Sequence, residues 1–349
     1  MECVCAPLYY RRFGSSKNMT MSRTVRFMET GGPEVLRIDD IDIPAPGPNE
    51  VRIRARALGL NRAESMWRSG KYIEEPILPA RLGYEAAGII EAIGEGETGF
   101  TIGEAVSVVP AFSQNQYGMY GELVLAPTFA VVKNPPSLSF EEAASIWMMF
   151  ITAYGALVDQ AGLLAGETVV IPAASSSVGI AAIQVANMVG ATSIALTRTS
   201  AKRAPLLDAG ARHVIATEEQ DLVLEILKIT NGKGARVVFD PIGGPSFTKL
   251  LAASSPGATL ILYGALSEEP TALPILEMLA KHVTIHANTI WTTSGDPVRL
   301  AKAKSFVLKG LEEGRLKPVI AKSFPFEDII EAHTYLESNQ QFGKLVVTL

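Results

Sequence analysis

The sequence predicts an α/β protein in which a doubly wound, six-stranded parallel sheet is joined to a smaller β-rich unit. Three observations carry this. Six short apolar runs recur about one βα unit apart, at 169–172, 193–197, 213–216, 236–240, 259–264 and 283–286, with helical patterns between them. Ahead of them, residues 24–60 alternate apolar and polar side chains in short runs, punctuated by Gly31-Gly32-Pro33 and by the Pro-rich segment 44–48. Between the two rhythms stands ETVVIPAASSSVGIAAIQVANMVGA (167–191), which reads as a strand, a tight turn and a helix rich in small residues.

In chain order, residues 1–22 are basic and aperiodic and lack the apolar core of a secretory signal. They are read as a flexible extension, either a targeting segment or a start upstream of Met19 and Met21 as alternative initiators. Residues 23–145 are assigned to the β-rich domain, 146–290 to the parallel-sheet domain, and 291–349 to a return to the first, through a helix at 328–338 and a strand at 344–349. A short helix is expected at 61–72 and a buried one at 139–158. Residues 202–209, 221–230 and 245–254 each show the apolar face of a helix packed on a sheet.

Composition narrows the functional classes. A chain of 349 residues, 48% hydrophobic and 19% charged, is long enough for two domains with substantial cores. Its net charge of -5 gives no basic footprint for nucleic acid or for an anionic membrane. The apolar uncharged run 143–158 is shorter than the ~20 residues of a membrane span. Cys3 and Cys5 are the only cysteines, which excludes a disulfide framework and a cysteine-built zinc site and fits a reducing, cytoplasmic setting.

The turn in 167–191 carries the first chemical signal. The leading N–H groups of a helix are unpaired and lie at the positive end of its dipole, so they can hold a diphosphate. Ala173, Ser176 and Gly179 keep the spacing of a dinucleotide fingerprint, with glycine only at the last position. The hydroxyls of Ser175, Ser176 and Ser177 can donate to phosphate oxygens, and a Ser-rich turn that merely caps a helix looks the same. On these residues both readings stand.

The order of parts then becomes specific. Together with ALGLNRAESMWRSGKY, RLGYEAAGIIEAIGEG, FITAYGAL, VVFDPIGG and YLESNQQFGKLVV, it resembles the medium-chain dehydrogenase/reductase superfamily, in its zinc-free quinone oxidoreductase (zeta-crystallin-like) branch. The resemblance implies a Rossmann cofactor domain and a GroES-like catalytic domain. Zinc-dependent members hold their metal with cysteine, histidine and cysteine where this chain has Asn61, Tyr84 and a position near Met148. None of these offers a normal zinc donor, so no metal is expected.

Without a metal, reduction rests on hydride transfer to an acceptor that delocalises the added electrons onto an oxygen, such as a quinone or an α,β-unsaturated carbonyl. The resemblance places Asn61 and Tyr72 beside the nicotinamide and Tyr84 at the former metal position. Asn61 N–H or Tyr84 O–H would polarise the acceptor oxygen; alternatively Asn61 caps the next helix and the tyrosines line the wall. A tyrosine of several relatives is Met66 here, beside Trp67, and with Trp147, Met148, Met149 and Phe150 it makes either an apolar mouth or a buried packing cluster.

For the cofactor, the second strand of the sheet ends in Thr197-Arg198-Thr199-Ser200 without the acid that holds an unphosphorylated ribose. Arg198, Lys202 and Arg203, with Thr199 and Ser200, suit a 2′-phosphate, and cations at a helix start otherwise oppose its dipole. NADPH is therefore expected. The resemblance adds Thr152, Val178 and Gly179 along the cofactor, Asp240, Gly243, Tyr263 and Gly264 around the nicotinamide ribose, and Phe342, Gly343 and Lys344 closing the cleft, with Lys344 either on a phosphate or exposed. It also implies a homodimer paired through the strand at 282–288. Two other outcomes stay open: an enoyl-thioester reductase, and a cofactor-binding protein with little turnover, of the kind this family has supplied as lens or RNA-binding proteins.

Overall fold

The computed structural model describes residues 19–349; the flexible extension expected at the N-terminus lies, over residues 1–18, outside the described residues. Three sheets organise the chain. The first third supplies strands β1 (Thr20–Phe27), β2 (Arg37–Ile43), β3 (Glu50–Leu60), β4 (Ala80–Arg81), β5 (Glu85–Ile93), β6 (Ala105–Val108), β7 (Leu123–Pro127) and β8 (Val131–Lys133), with the short helix α1 (Arg62–Arg68) after β3. Residues 20–22, taken as part of the extension, belong instead to β1, where Ser22 is buried and pairs with Ile41 of β2. β1, β2 and β4 make a three-stranded sheet.

The second sheet is the predicted parallel one. Its strands β9 (Thr168–Ile171), β10 (Thr192–Thr197), β11 (His213–Ala216), β12 (Ala235–Asp240), β13 (Ser254–Leu262) and β14 (Thr284–Ala287) lie in the order β11-β10-β9-β12-β13-β14. That order reverses beside β9, the switch point at which such sheets open a crevice for ligands. β13 begins earlier than the apolar pattern, because Pro256-Gly257 is absorbed as an irregularity and Gly257 takes φ +70.

The expected helix at 139–158 is broken into α2 (Phe140–Ala143), α3 (Trp147–Tyr154) and a wider π-type turn, Gly155–Gln160. The break has a distant cause. Met148 N–H donates to Glu85 Oε1 at 2.8 Å instead of entering a continuous helix, and Trp147 Nε1 donates to Ser107 Oγ at 2.8 Å. Trp147, Met148, Met149 and Phe150 are all buried, so they form a packing cluster rather than an apolar mouth.

The parallel sheet carries α4 (Ser177–Val189), α5 (Arg203–Asp208), α6 (Leu222–Ile229), α7 (Ser246–Ala252) and α8 (Ile275–Lys281). After α9 (Trp291–Ser294) comes α10 (Pro297–Glu312), which the sequence reading did not single out. It packs on α3, with the Tyr154 and Phe306 rings 4.8 Å apart. The return to the first domain then runs through β15 (Ile320–Pro325), α11 (Ile329–Glu337) and β16 (Lys344–Thr348). β16 pairs antiparallel with β3, and the third sheet has the order β15-β16-β3-β5-β6-β8, with β7 on β3. Among the described residues, no helix is long and apolar enough to cross a membrane.

Candidate active site and cofactor cleft

Register brings the site together. Leu345 of β16 faces Leu60 of β3, and Gly59 of β3 faces Glu85 of β5. Lys344, Asn61 and Glu85 therefore meet at one end of the third sheet, although 283 residues separate Asn61 from Lys344. Gly59 permits the crowding: a Cβ there would stand 2.0 Å from Ala144 O and 3.1 Å from Lys344 Cε.

Lys344 corrects the sequence reading. Its side chain is fully buried, where it pairs with Glu85 and donates to Asn61 Oδ1, so it neither reaches a phosphate nor lies exposed. Asn61 occupies the N-cap position of α1, yet its side chain makes no cap. Its two amide hydrogens go to Glu64 Oε1 (3.1 Å) and Glu85 Oε2 (3.0 Å), which leaves none for an acceptor oxygen. Glu64 Oε1 also takes the Tyr84 N–H at 3.1 Å.

Above this knot sits Tyr84, fully buried, its ring edge-on to Trp291 at 5.9 Å. Its hydroxyl has no hydrogen-bond partner. Burial, with Tyr72 and Glu64 nearby, pushes its ionisation far above the ordinary tyrosine range, so it is an O–H donor and not a base. Tyr72 is half-buried and its ionisation is likewise raised, chiefly by burial. Of the three residues expected beside the reacting atoms, Tyr72 and Tyr84 adjoin each other, while Asn61 is committed to Glu64 and Glu85.

A second buried group borders the knot. Arg68 donates to Gly31 O (3.1 Å) and His333 Nδ1 (2.9 Å) and pairs with Glu337. Because arginine only donates, His333 must accept through Nδ1 and is neutral. Burial, then Arg68, lowers its pKa to about 3. The unfolded chain thus takes a proton there first, so stability from this residue is complete above pH ~6.5 and falls by about 1.4 kcal/mol per unit as the pH drops toward 3. Glu64, raised to about 7, acts in the opposite sense between pH ~4.5 and 7. His333→Gln isolates the first effect: its stability relative to the parent should rise steadily from pH 6.5 downward in chemical-denaturation curves, and a pH-independent difference would contradict this.

The cofactor cleft follows from the turn between β9 and α4. Ala173 adopts φ +47, the conformation a fingerprint glycine would take. Gly179 is obligatory for close helix–turn packing, since a Cβ would stand 2.6 Å from Ala174 O. Ser176 is the N-cap of α4, its Oγ accepting from Gly179 N at 3.0 Å, which leaves its O–H to donate. Ser175 is placed similarly. Its Oγ meets Lys202 Nζ at 3.1 Å, and Lys202 also donates to Gln341 O at 3.1 Å.

Gly343 N–H donates to Ser175 O at 2.9 Å, and its φ of +105 and a Cβ position 2.3 Å from Val319 O require glycine. Half-buried Phe342 packs against the core beside it, as does Val178. Burial, then the like charge of Arg198, lowers the Lys202 pKa, and Arg198 itself is exposed at the end of β10 next to Thr199. Ser200 is committed: its N–H and hydroxyl both reach Glu219 Oε1 (2.8 and 3.2 Å). Lys202 pairs with no carboxylate among the described residues, and two neighbouring cations beside Ser175, whose O–H is left to donate, fit a dinucleotide bearing an extra phosphate.

Further along the sheet edge, Asp240 is buried and its two oxygens hold Ile242 N (2.8 Å) and Gly243 N (3.2 Å). It shapes the loop instead of offering a free carboxylate. Tyr263 stacks on Phe239 at 3.8 Å with an unpartnered hydroxyl, and at Gly264 a Cβ would stand 2.6 Å from Pro241 O. Thr152 donates to Met148 O at 2.6 Å. Sequence reasoning gave no role to Glu64, Glu85, Gln341 or Glu219. A glutamate opening the apolar strand EAAGII was the one visible signal.

No group of three or more His, Cys, Asp or Glu placed to hold a metal occurs among the described residues. A parallel dinucleotide sheet joined to an antiparallel domain whose metal positions carry Asn61, Tyr84 and Met148 defines a medium-chain dehydrogenase/reductase. Comparison with known proteins agrees: residues 47–136 match the alcohol dehydrogenase GroES-like domain and 177–303 the zinc-binding dehydrogenase family. Human quinone oxidoreductase is 32% identical over 331 residues, spanning 94% of this chain and 98% of that protein. An Escherichia coli quinone oxidoreductase solved with NADPH superposes with TM-score 0.85 at 27% identity, covering 94% of this chain and 100% of that one. A NAD-dependent alcohol dehydrogenase superposes equally well, TM-score 0.85 at 32% identity over 94% and 99%. The chain belongs to the quinone oxidoreductase branch of the medium-chain dehydrogenase/reductase superfamily and is an oxidoreductase of the hydride-transfer type.

Proposed function

We propose that this protein is an NADPH-dependent reductase that passes hydride to a quinone or an activated alkene without a metal. The observation that carries the cofactor choice is the pair Lys202 and Arg198 at the end of β10, with Ser175 and no strand-end acid. The NAD-dependent relative shares the fold, so the fold alone does not decide the cofactor; the residues at this strand end do. Bound NADPH would supply the hydride.

The protein's own part is orientation and a hydrogen bond. Tyr84, held protonated, donates to the acceptor oxygen on which the electron pair comes to rest, and Tyr72 flanks it. Around them Trp291 and the buried wall exclude water, which strengthens that bond. Titration by nicotinamide fluorescence should give much tighter binding of NADPH than of NADH; equal affinities would refute the cofactor assignment.

The protein acts as a homodimer on this reading. β14 ends the parallel sheet and pairs only with β13 among the described residues, while Leu276 and Leu279 of the adjoining α8 are 84% and 63% exposed. Pairing of two β14 edges across a two-fold axis would cover both features. Light scattering should return the dimer mass, and a monomer at micromolar concentration would contradict it.

A further inference from the structure

The knot below Tyr84 contains more acid than base. Glu64 and Glu85 are both fully buried, and Lys344 is the cation between them. The donors of the knot converge on Glu85 and on one oxygen of Glu64. Lys344 serves Glu85 and Asn61; Asn61 gives one hydrogen to each carboxylate; Met148 N–H reaches the other oxygen of Glu85. Glu64 Oε2 is left buried without a partner. Two carboxylates and one ammonium would strand a negative charge in a region shielded from water, which is unfavourable. One proton removes that charge, and the oxygen without a donor is where it belongs.

We propose that Glu64 serves this enzyme as a neutral carboxylic acid, keeping the floor under Tyr84 uncharged so that the pocket can receive the electron pair that hydride transfer drives onto the acceptor oxygen. Ionised, Glu64 opposes the reaction. The proposal rests on the reductase reading above. Glu64 does not touch the acceptor; it is a positioning residue that acts through Tyr84, whose N–H it holds. A fixed anion near a developing oxyanion is costly because the low local dielectric leaves their repulsion poorly screened.

The groups facing Glu64 agree with this. Burial raises its pKa to about 7 against the opposing pull of Lys344 and Asn61, and Glu85 adds to the rise. The hydroxyls of Tyr72, Tyr84 and Tyr120 all feel the Glu64 charge, and burial holds each of them protonated, Arg68 only partly offsetting this at Tyr120. Glu64 is thus the member of this set with a pKa raised into the neutral range.

The test is Glu64→Gln, which keeps the acceptor oxygen for Asn61 and Tyr84 and removes the charge. In the parent, NADPH-dependent reduction of a fixed quinone should fall as pH rises through about 7, by up to about tenfold per unit. The Gln variant should retain the low-pH rate within about threefold and lose that fall, whereas Glu64→Asp, still titratable, should keep one. A folded Gln variant that is nearly inactive, or one that keeps the same pH break, would overturn the proposal. Infrared difference spectra of the resting protein between pH 6 and 8 should show a protonated carboxyl stretch disappearing in the parent and no such change in the Gln variant; its absence from the parent would also overturn it. That readout needs no acceptor. Failure of every acceptor at every pH would sink the reductase reading, while an unchanged pH profile in an active Gln variant would sink this one alone.

Discussion

Replacing Lys344 with methionine is expected to destabilise the protein by about 3–5 kcal/mol, read as a drop in guanidinium midpoint. Methionine keeps most of the buried stem but removes the cation paired with Glu85 and the donor to Asn61. Glu85 would then hold an uncompensated charge at full burial, which costs more than the pair itself contributes. The control is Glu85→Gln in the same background. With the anion gone as well, a good part of the loss should return, giving a coupling of about 1–3 kcal/mol in a double-mutant cycle. A Lys344→Met protein within ~0.5 kcal/mol of the parent would mean that the buried pair is not formed as described.

The second large effect is on cofactor choice. Lys202→Glu removes the ammonium that meets Ser175 Oγ and Gln341 O and places an anion where the 2′-phosphate would lie. A charge-assisted hydrogen bond contributes about 1.5–3 kcal/mol, so NADPH should bind on the order of 100-fold more weakly, while NADH changes by no more than about threefold. Parallel loss of both cofactors would point instead to a general disturbance of the turn, since Lys202 also ties Gln341 to it.

Local patterns carried much of the fold in advance. Six apolar runs at βα spacing became the six strands of the parallel sheet, and the C-terminal run became β16 on β3. Ala173 and Gly179 have the backbone conformation and close packing that such a turn requires, features written in residue size. What escaped was decided at long range. The helix at 139–158 breaks where Glu85, from a different strand, captures Met148 N–H. Lys344 points inward because β16 places it over Asn61 and Glu85, a register no local periodicity encodes. Ser176 shows the opposite case: its position named it, but only coordinates reveal its hydroxyl engaged with Gly179 and that of Ser175 on Lys202. Asn61, Tyr72 and Tyr84 were singled out by resemblance, and the two glutamates that organise them passed unassigned because a buried acid looks like any other glutamate until its partners are known.

On the reading proposed here, the protein passes hydride from NADPH to an electron-poor carbonyl acceptor without a metal. Oxidation of NADPH by the purified protein, followed against a panel of quinones, enones and enoyl thioesters with and without a strong chelator, tests it most directly. Reduction of a quinone or an enone is expected, faster with NADPH than with NADH and unchanged by the chelator. Activity abolished by chelation and restored by zinc, or tight NADPH binding with no acceptor reduced, would contradict it.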